Sequence, residues 1–477
     1  MRHYKNFYIN GQWVEPNKPD ELEVINPSNE SIAGIISLGS AVDVDNAVTA
    51  AKSAFPKFSV SQPQERLELL ENILAEFLCR YDEIANAITE EMGSPNLFAS
   101  QEQAACGNGH LEATIAALAN FKFLEKKQNA QIYKEPIGVC ALITPWNWPI
   151  NQIVCKVAPA LAMGCTMVLK PSEIAPFSAY LFAEVLHKAG VPAGVFNLVN
   201  GDGATVGTAL AAHPDVDMVS FTGSTRAGIE VAQTAAISVK RVTQELGGKS
   251  PNIILDDADL ETAISTGVRS CFSNSGQSCD APTRLLIPES LHDKAREIAI
   301  AAAKKLVVGD PSQPTTDLGP VVSQQQFEKI QRLIQIGITE GCELACGGLG
   351  LPEGLKQGYF VRPTIFCNVK NEARIAREEI FGPVLVIIPY QDEQDAIRIA
   401  NDTPYGLCAY VSGSPNRARL IASHVRAGSV YLNGGEGNFD LPFGGFKQSG
   451  NGREFAEYGF EDYLELKTII GAVGQIK

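Results

Sequence analysis

One residue of this chain has the chemistry and the surroundings of a nucleophile, and polar groups that could serve it end several of the apolar runs before it. Cys279 follows a small polar stretch, Ser273 to Ser278, and precedes Asp280 and Pro282. A cysteine used for packing would sit among aliphatic neighbours. Gly276 lets the backbone come close to whatever the thiol touches. A thiol is a strong soft nucleophile only as thiolate, and its ordinary pKa near ~8.5 leaves roughly a few per cent ionised at neutral pH. Taken alone, Cys279 would be one of 11 cysteines, a residue type more often buried than reactive. Its companions change that weighting.

Asn147 lies in Thr144-Pro145-Trp146-Asn147-Trp148-Pro149, where it either makes an Asx-turn before a helix or donates to an oxyanion. Lys170 and Glu173, in Lys170-Pro171-Ser172-Glu173, form either a surface pair and helix cap or a grip on ribose hydroxyls. Phe221-Thr222-Gly223-Ser224 opens a helix. The Gly223 to Gly228 spacing is no P-loop, since Lys-Ser/Thr does not follow, and it is no GxGxxG. It leaves a glycine turn at a helix N-terminus that can receive a pyrophosphate. Glu245, before Leu246-Gly247-Gly248, is either a turn residue or a carboxylate able to take a proton from water.

The elements that must position these groups are legible. After mixed residues 1 to about 40, amphipathic patterns predict helices at 43–56, 63–90 and 97–122. From Gly138 the texture alternates. Apolar runs at 138–144, 165–170, 195–199, 216–221 and 240–245 alternate with helical stretches at 151–163, 176–189, 204–212 and 224–236. Such βαβ units make a parallel sheet covered on both faces, with ligands beyond the carboxyl ends of the strands. A second α/β segment begins after a glycine-rich boundary near 247. Its strands are expected at 251–255, 283–288, 383–389, 406–412 and 428–432, and its helices at 258–272, 290–306, 322–340, 393–401 and 415–426. A β-prone run at 463–470 and another near 130–136 would form an arm towards another subunit.

A net charge of -15 over 477 residues opposes non-specific binding to nucleic acid or an acidic membrane. No stretch reaches the ~18 apolar residues of a membrane span, and the start lacks a signal-peptide run. Neither the cysteines nor the six histidines show metal-ligand spacing, so no metal is expected. These features imply a soluble chain in a reducing, cytoplasmic setting.

Seven motifs in one order closely resemble the aldehyde dehydrogenase superfamily. They are Pro145-Trp146-Asn147-Trp148-Pro149, Lys170-Pro171-Ser172-Glu173, Phe221-Thr222-Gly223-Ser224, Glu245-Leu246-Gly247-Gly248-Lys249, Gly276-Gln277-Ser278-Cys279, Glu378-Glu379-Ile380-Phe381-Gly382-Pro383 and the glycine-rich Pro442 to Gly450. The resemblance spans about residues 7 to 470. It implies an α/β fold with a Rossmann-type NAD-binding domain (1–116 and 138–246), an α/β catalytic domain (247–445) and a small β oligomerisation arm (117–137 and 446–477). By the same resemblance Cys279 is the nucleophile, Glu245 the general base, and Asn147 with the Cys279 backbone N–H the oxyanion hole. Lys170 and Glu173 match the adenosine-ribose clamp, Gly223 and Ser224 the pyrophosphate turn, and Glu379 and Phe381 the nicotinamide contacts. Thr144, Pro145, Trp146, Ser172, Gly203, Phe221 and Leu246 complete the implied cofactor site.

The implied function is NAD-dependent oxidation of a small-molecule aldehyde to its acid, by a homodimer or homotetramer. Glu173 would accept hydrogen bonds from both ribose hydroxyls and repel a 2′-phosphate, which favours NAD over NADP. A CoA-acylating relative and a non-catalytic member are the alternatives. Glu245 argues against the first, and the joint presence of Cys279, Glu245 and Asn147 against the second. Asp280, Glu436 and Asp440 are left open as substrate contacts or solvent-facing residues.

Overall fold

The computed structural model describes residues 1–471, and within them two large sheets divide the chain. The first has eight strands, in the order Gly450–Asn451, Arg241–Glu245, Met218–Thr222, Val139–Ile143, Thr166–Lys170, Phe196–Leu198, Phe7–Ile9 and Gln12–Val14. The five strands from Arg241–Glu245 to Phe196–Leu198 are parallel, as the alternating pattern predicts. Gly450–Asn451 and the two N-terminal strands add antiparallel edges. The second sheet has seven strands, in the order Glu343–Cys346, Thr364–Cys367, Val384–Tyr390, Arg284–Pro288, Pro251–Ile254, Cys408–Ser412 and Ser429–Leu432. All pairs in it are parallel except the first.

Two smaller sheets complete the fold. Arg2–Tyr4, Ile32–Ser37 and Glu21–Ile25 form one near the N-terminus. Leu464–Ile470, Ala130–Pro136 and Leu124–Lys127 form an antiparallel arm. Of the segment 446–477 that the sequence assigns to the arm, only Leu464–Ile470 enters this sheet. Gly450–Asn451 instead joins the eight-stranded sheet, and 472–477 lie outside the described residues.

The helix Pro149–Met163 carries the first strand's end into the core. Pro149 starts it, where its fixed φ and missing N–H cost nothing. It is buried on every face except at Asn151. A helix enclosed in this way is apolar all round, so its one charged residue, Lys156, needs a partner. Lys156 Nζ donates to Thr222 Oγ1 at 2.7 Å and to Glu454. The helix expected over 63–90 is two helices, Pro63–Cys79 and Tyr81–Met92, broken at Arg80. The helix expected over 97–122 contains a π-turn, Ala99–Ala104.

One tie holds the junction between the large sheets, and another braces the second sheet's domain from within. Ser449 O accepts from Leu246 N at 2.9 Å, while its hydroxyl donates to Gly247 O at 2.7 Å. Arg284, with no exposed surface, donates to the carbonyls of Lys249, Ile399 and Ala400 at 2.9 Å each and to Asn371 Oδ1 at 3.0 Å. Ile399 and Ala400 lie in the last turn of the helix Glu393–Asn401, where a cation is favoured. Arg284→Met would leave these buried acceptors unpaired. We expect a loss of about 3 kcal/mol, read as a lowered thermal or urea unfolding midpoint; an unchanged midpoint would contradict this bracing role.

Candidate active site

The loop before Cys279 turns left-handed three times in succession. Asn274, Ser275 and Gly276 have φ of 53°, 55° and 73°. Such values are uncommon for residues with a side chain and persist only where the surroundings enforce them. At Gly276 a Cβ would run into the backbone of Gly382 and Pro383. Hydrogen bonds fix the rest. Asn274 Nδ2 donates to Asn147 O at 2.9 Å, and its Oδ1 accepts from Gln103 Nε2 at 3.0 Å. Gln277 Oε1 accepts from Val322 N at 2.9 Å, and its Nε2 donates to Asn274 O at 3.0 Å. Ser275 Oγ donates to Gly319 O at 2.8 Å, and Trp148 Nε1 to Ser278 Oγ at 2.8 Å.

This bracing sets Cys279 between two cavities. One, of about 200 Å³, is walled by Pro145, Trp146, Asn147, Gly223, Ser224, Leu246, Glu379 and Phe381. The other, of about 360 Å³, is walled by Trp148, Asp280, Tyr431, Phe439, Phe443 and Phe455, with Glu102 and Cys106 beside them. Only Cys279 and Gln152 line both. Asn147 Nδ2 donates to Gln277 O at 3.0 Å. A carboxamide has two N–H groups, so one remains for a second acceptor.

The smaller cavity opens beyond the carboxyl ends of the parallel strands. Ser224 caps the helix Thr225–Ala235, its hydroxyl accepting from Ala227 N at 3.3 Å. The Phe221 ring lies against Gly223, where a Cβ would meet it. Thr144 Oγ1 is buried without a partner. Glu379 Oε1 accepts from Gly248 N at 2.9 Å. Phe381 has a φ of 60° and packs edge-on against Trp146, ring centroids 5.4 Å apart. Lys170, Ser172, Glu173 and Gly203 do not wall this cavity; they lie at or after the ends of the adjacent strands Thr166–Lys170 and Phe196–Leu198. There Lys170 Nζ donates to Glu173 Oε2 at 2.9 Å, Ser172 Oγ accepts from Ile174 N at 3.2 Å, and a Cβ at Gly203 would meet nothing.

Glu245 is placed differently from the other candidates. It is 4% exposed, both carboxylate oxygens lack a hydrogen-bond partner, and it walls neither cavity. It faces Gly444, where a Cβ would lie 2.7 Å from its Oε1. Burial first, and then the charge of Glu454, hold its pKa well above the usual carboxylate range. The charges of Lys156 and then Arg453 oppose that rise. Burial works against the charge of Lys156, but Glu454, with Cys155 and Glu245, outweighs it and raises its pKa. The Lys156–Glu454–Thr222 cluster, like Gln103 and Gln152, is absent from the sequence reading. A lysine inside the apolar pattern of 149–163 was the available signal; Glu454, nearly three hundred residues away, gave none.

Of the residues the sequence left open, Asp280 lines the larger cavity, its main-chain oxygen accepting from Tyr410 Oη at 3.3 Å. Glu436 borders a neighbouring hollow of about 450 Å³, and Asp440 is exposed.

Comparison with known proteins places the whole chain beside one family. The sequence model of the aldehyde dehydrogenase family matches residues 13–469. A 3-succinoylsemialdehyde-pyridine dehydrogenase from Pseudomonas sp. is 57% identical, over 99% of this chain and 100% of its own length. A mutant of aldehyde dehydrogenase C from Pseudomonas syringae, crystallised with NAD+ and octanal, superposes with a TM-score of 0.98 at 50% identity, covering 99% of this chain and 98% of that one. A Mycobacterium tuberculosis aldehyde dehydrogenase complexed with NAD+ gives 0.96 at 38% identity, covering 98% of each chain.

Cys279 keeps partial access through its cavities, yet burial pushes its thiol well above the ordinary cysteine value, with the Asp280 charge adding to the effect. A higher pKa moves the thiolate population to higher pH. In protein free of ligands, alkylation of the Cys279 peptide by iodoacetamide, followed by mass spectrometry, should be slow at neutral pH and still be rising at about pH 9. A rate that levels off near neutrality would contradict the assigned environment.

Proposed function

This chain belongs to the aldehyde dehydrogenase family, and on that premise we propose that it oxidises an aldehyde to the carboxylic acid through a covalent adduct on Cys279, with NAD as cofactor. The observation that carries this reading is the position of Cys279 at the junction of the two cavities, able to meet a different ligand from each side.

In this reading Cys279 Sγ adds to the aldehyde carbonyl and forms a thiohemiacetal. The remaining N–H of Asn147 and the backbone N–H of Cys279 hold the oxyanion. Bound NAD+ supplies the hydride acceptor that allows the adduct to become a thioester. Glu245 then takes a proton from the water that releases the acid. To do so it must ionise and turn away from Gly444, because its resting site offers no hydrogen bond. Splitting the oxidation through a thioester replaces one difficult step by two easier ones.

The residues past the parallel strands fit a dinucleotide. Gly223 and Ser224 stand at the N-terminus of an eleven-residue helix, which suits a pyrophosphate. The open backbone at Gly203 leaves room for a close approach. Lys170, Ser172 and Glu173 would hold the adenosine ribose. Glu379 and Phe381 would hold the nicotinamide half, with Thr144, Pro145, Trp146, Phe221 and Leu246 completing the cofactor site. The Glu173 carboxylate favours NAD over NADP, although its pair with Lys170 softens the repulsion of a 2′-phosphate.

We assign 1–116 and 138–246 to NAD binding and 247–445 to catalysis, a division supported by the two large sheets. The exposed Leu466, Ile469 and Ile470 on the arm's edge strand support a homodimer or homotetramer. Among the described residues no helix is long and apolar enough to cross a membrane, and the 11 cysteines are free. The free thiols support a reducing, cytoplasmic setting.

A panel of diverse aldehydes, including octanal and a pyridyl semialdehyde, tests the proposal by NADH absorbance. The native protein should turn over without CoA, and Cys279→Ala should not. Asn147→Ala should lose about 3 kcal/mol of transition-state stabilisation, a fall in kcat of roughly a hundredfold. Turnover surviving in Cys279→Ala would sink the mechanism.

A further inference from the structure

The larger cavity beside Cys279 is apolar in its walls and acidic in its charge. Phe439 and Phe455 each lie 4.5 Å, centroid to centroid, from His110, and Phe455 stacks on Phe443 at 5.1 Å. Burial lowers the His110 pKa to about 4, so this aromatic floor holds no positive charge at neutral pH. Three carboxylates reach the cavity: Glu102, Asp280 and Glu454. Glu454 is paired with Lys156 behind the wall. Neither of the other two has a cationic partner among the described residues, and no lysine or arginine lines the space. Asp280 lines this cavity together with Cys279, Cys106 and Tyr431. Its main chain is anchored there by the Tyr410 hydroxyl.

We infer that Asp280, assisted by Glu102, sets the charge selectivity of this cavity, admitting aldehydes with an uncharged or cationic apolar tail and rejecting those whose tail ends in a carboxylate. The inference rests on the proposed reading of Cys279 as the nucleophile, because only then does the cavity hold the substrate's tail. An anionic tail would be drawn from water into an apolar space containing unpaired carboxylates and no cation, which is unfavourable twice over. A cationic tail would meet a carboxylate and aromatic faces together.

The test compares kcat/KM within matched pairs: succinic semialdehyde against its methyl ester, and γ-trimethylaminobutyraldehyde against its uncharged tert-butyl analogue. Each ratio is taken within one protein, so any effect of Asp280 on the neighbouring thiol cancels. In the native enzyme the anion should fall at least about tenfold below its ester. Asp280→Asn should raise that ratio about tenfold and lower the cation's ratio; Glu102→Gln should shift both in the same directions by less. It also carries the test should Asp280→Asn fail to fold. Ratios near one in the native protein, or ratios unmoved in the folded variants, would overturn the inference. Absence of NADH with all four aldehydes would count instead against the catalytic reading beneath it.

Discussion

Everything at this site depends on holding one thiol at a boundary. Three consecutive left-handed residues aim the chain, and they are stable only because their surroundings leave no alternative. Gly276 passes too close to Gly382 for any side chain. Asn274 and Gln277 are bonded to each other, to the main chain of Asn147 and to Val322, so the Cys279 loop and the Asn147 loop form one hydrogen-bonded unit. The Asn147 amide and the Cys279 backbone are thereby positioned together, although they come from the ends of different sheets. A donor pair for an oxyanion needs that coupling, since errors of an ångström reduce catalysis strongly.

Electrostatics give the resting site its second property. Burial acts on Cys279 and on Glu245 in the same direction, raising the pKa of each, and neighbouring carboxylates add to it. Both groups are therefore biased towards their protonated forms when no ligand is present. A positively charged ligand between them would favour ionisation, so reactivity would rise when the site fills. Lys156, enclosed beside this cluster, is committed by its bonds to Glu454 and Thr222.

Much of this was legible in the sequence, for physical reasons that also explain the gaps. The five parallel strands were visible because strands buried on both faces read as short apolar runs between amphipathic helices. Asn147, Lys170, Gly223 and Glu245 stood out because each sits at or just past such a strand's end, where a ligand would bind. Local breaks were not visible. Arg80 interrupts 63–90 without a glycine or proline to announce it, and the π-turn at 99–104 has an ordinary helical composition. The pair Glu343–Cys346 and Thr364–Cys367 was missed because its strands are short and separated by a long loop. The residues that brace the site, Gln103, Asn274 and Glu454, act across long stretches of chain, and no spacing rule reaches that far. Nor could sequence show that Glu245 packs against Gly444 rather than in the cleft.

The central claim, a covalent intermediate on Cys279 released by water that Glu245 activates, is tested most directly by trapping it. Glu245→Gln protein would be mixed with NAD and an aldehyde, quenched in acid, and its peptides weighed by mass spectrometry. The account predicts an acyl group on the Cys279 peptide, accumulating to near one per active site. No acyl adduct while product still forms, or an adduct on another cysteine, would contradict it.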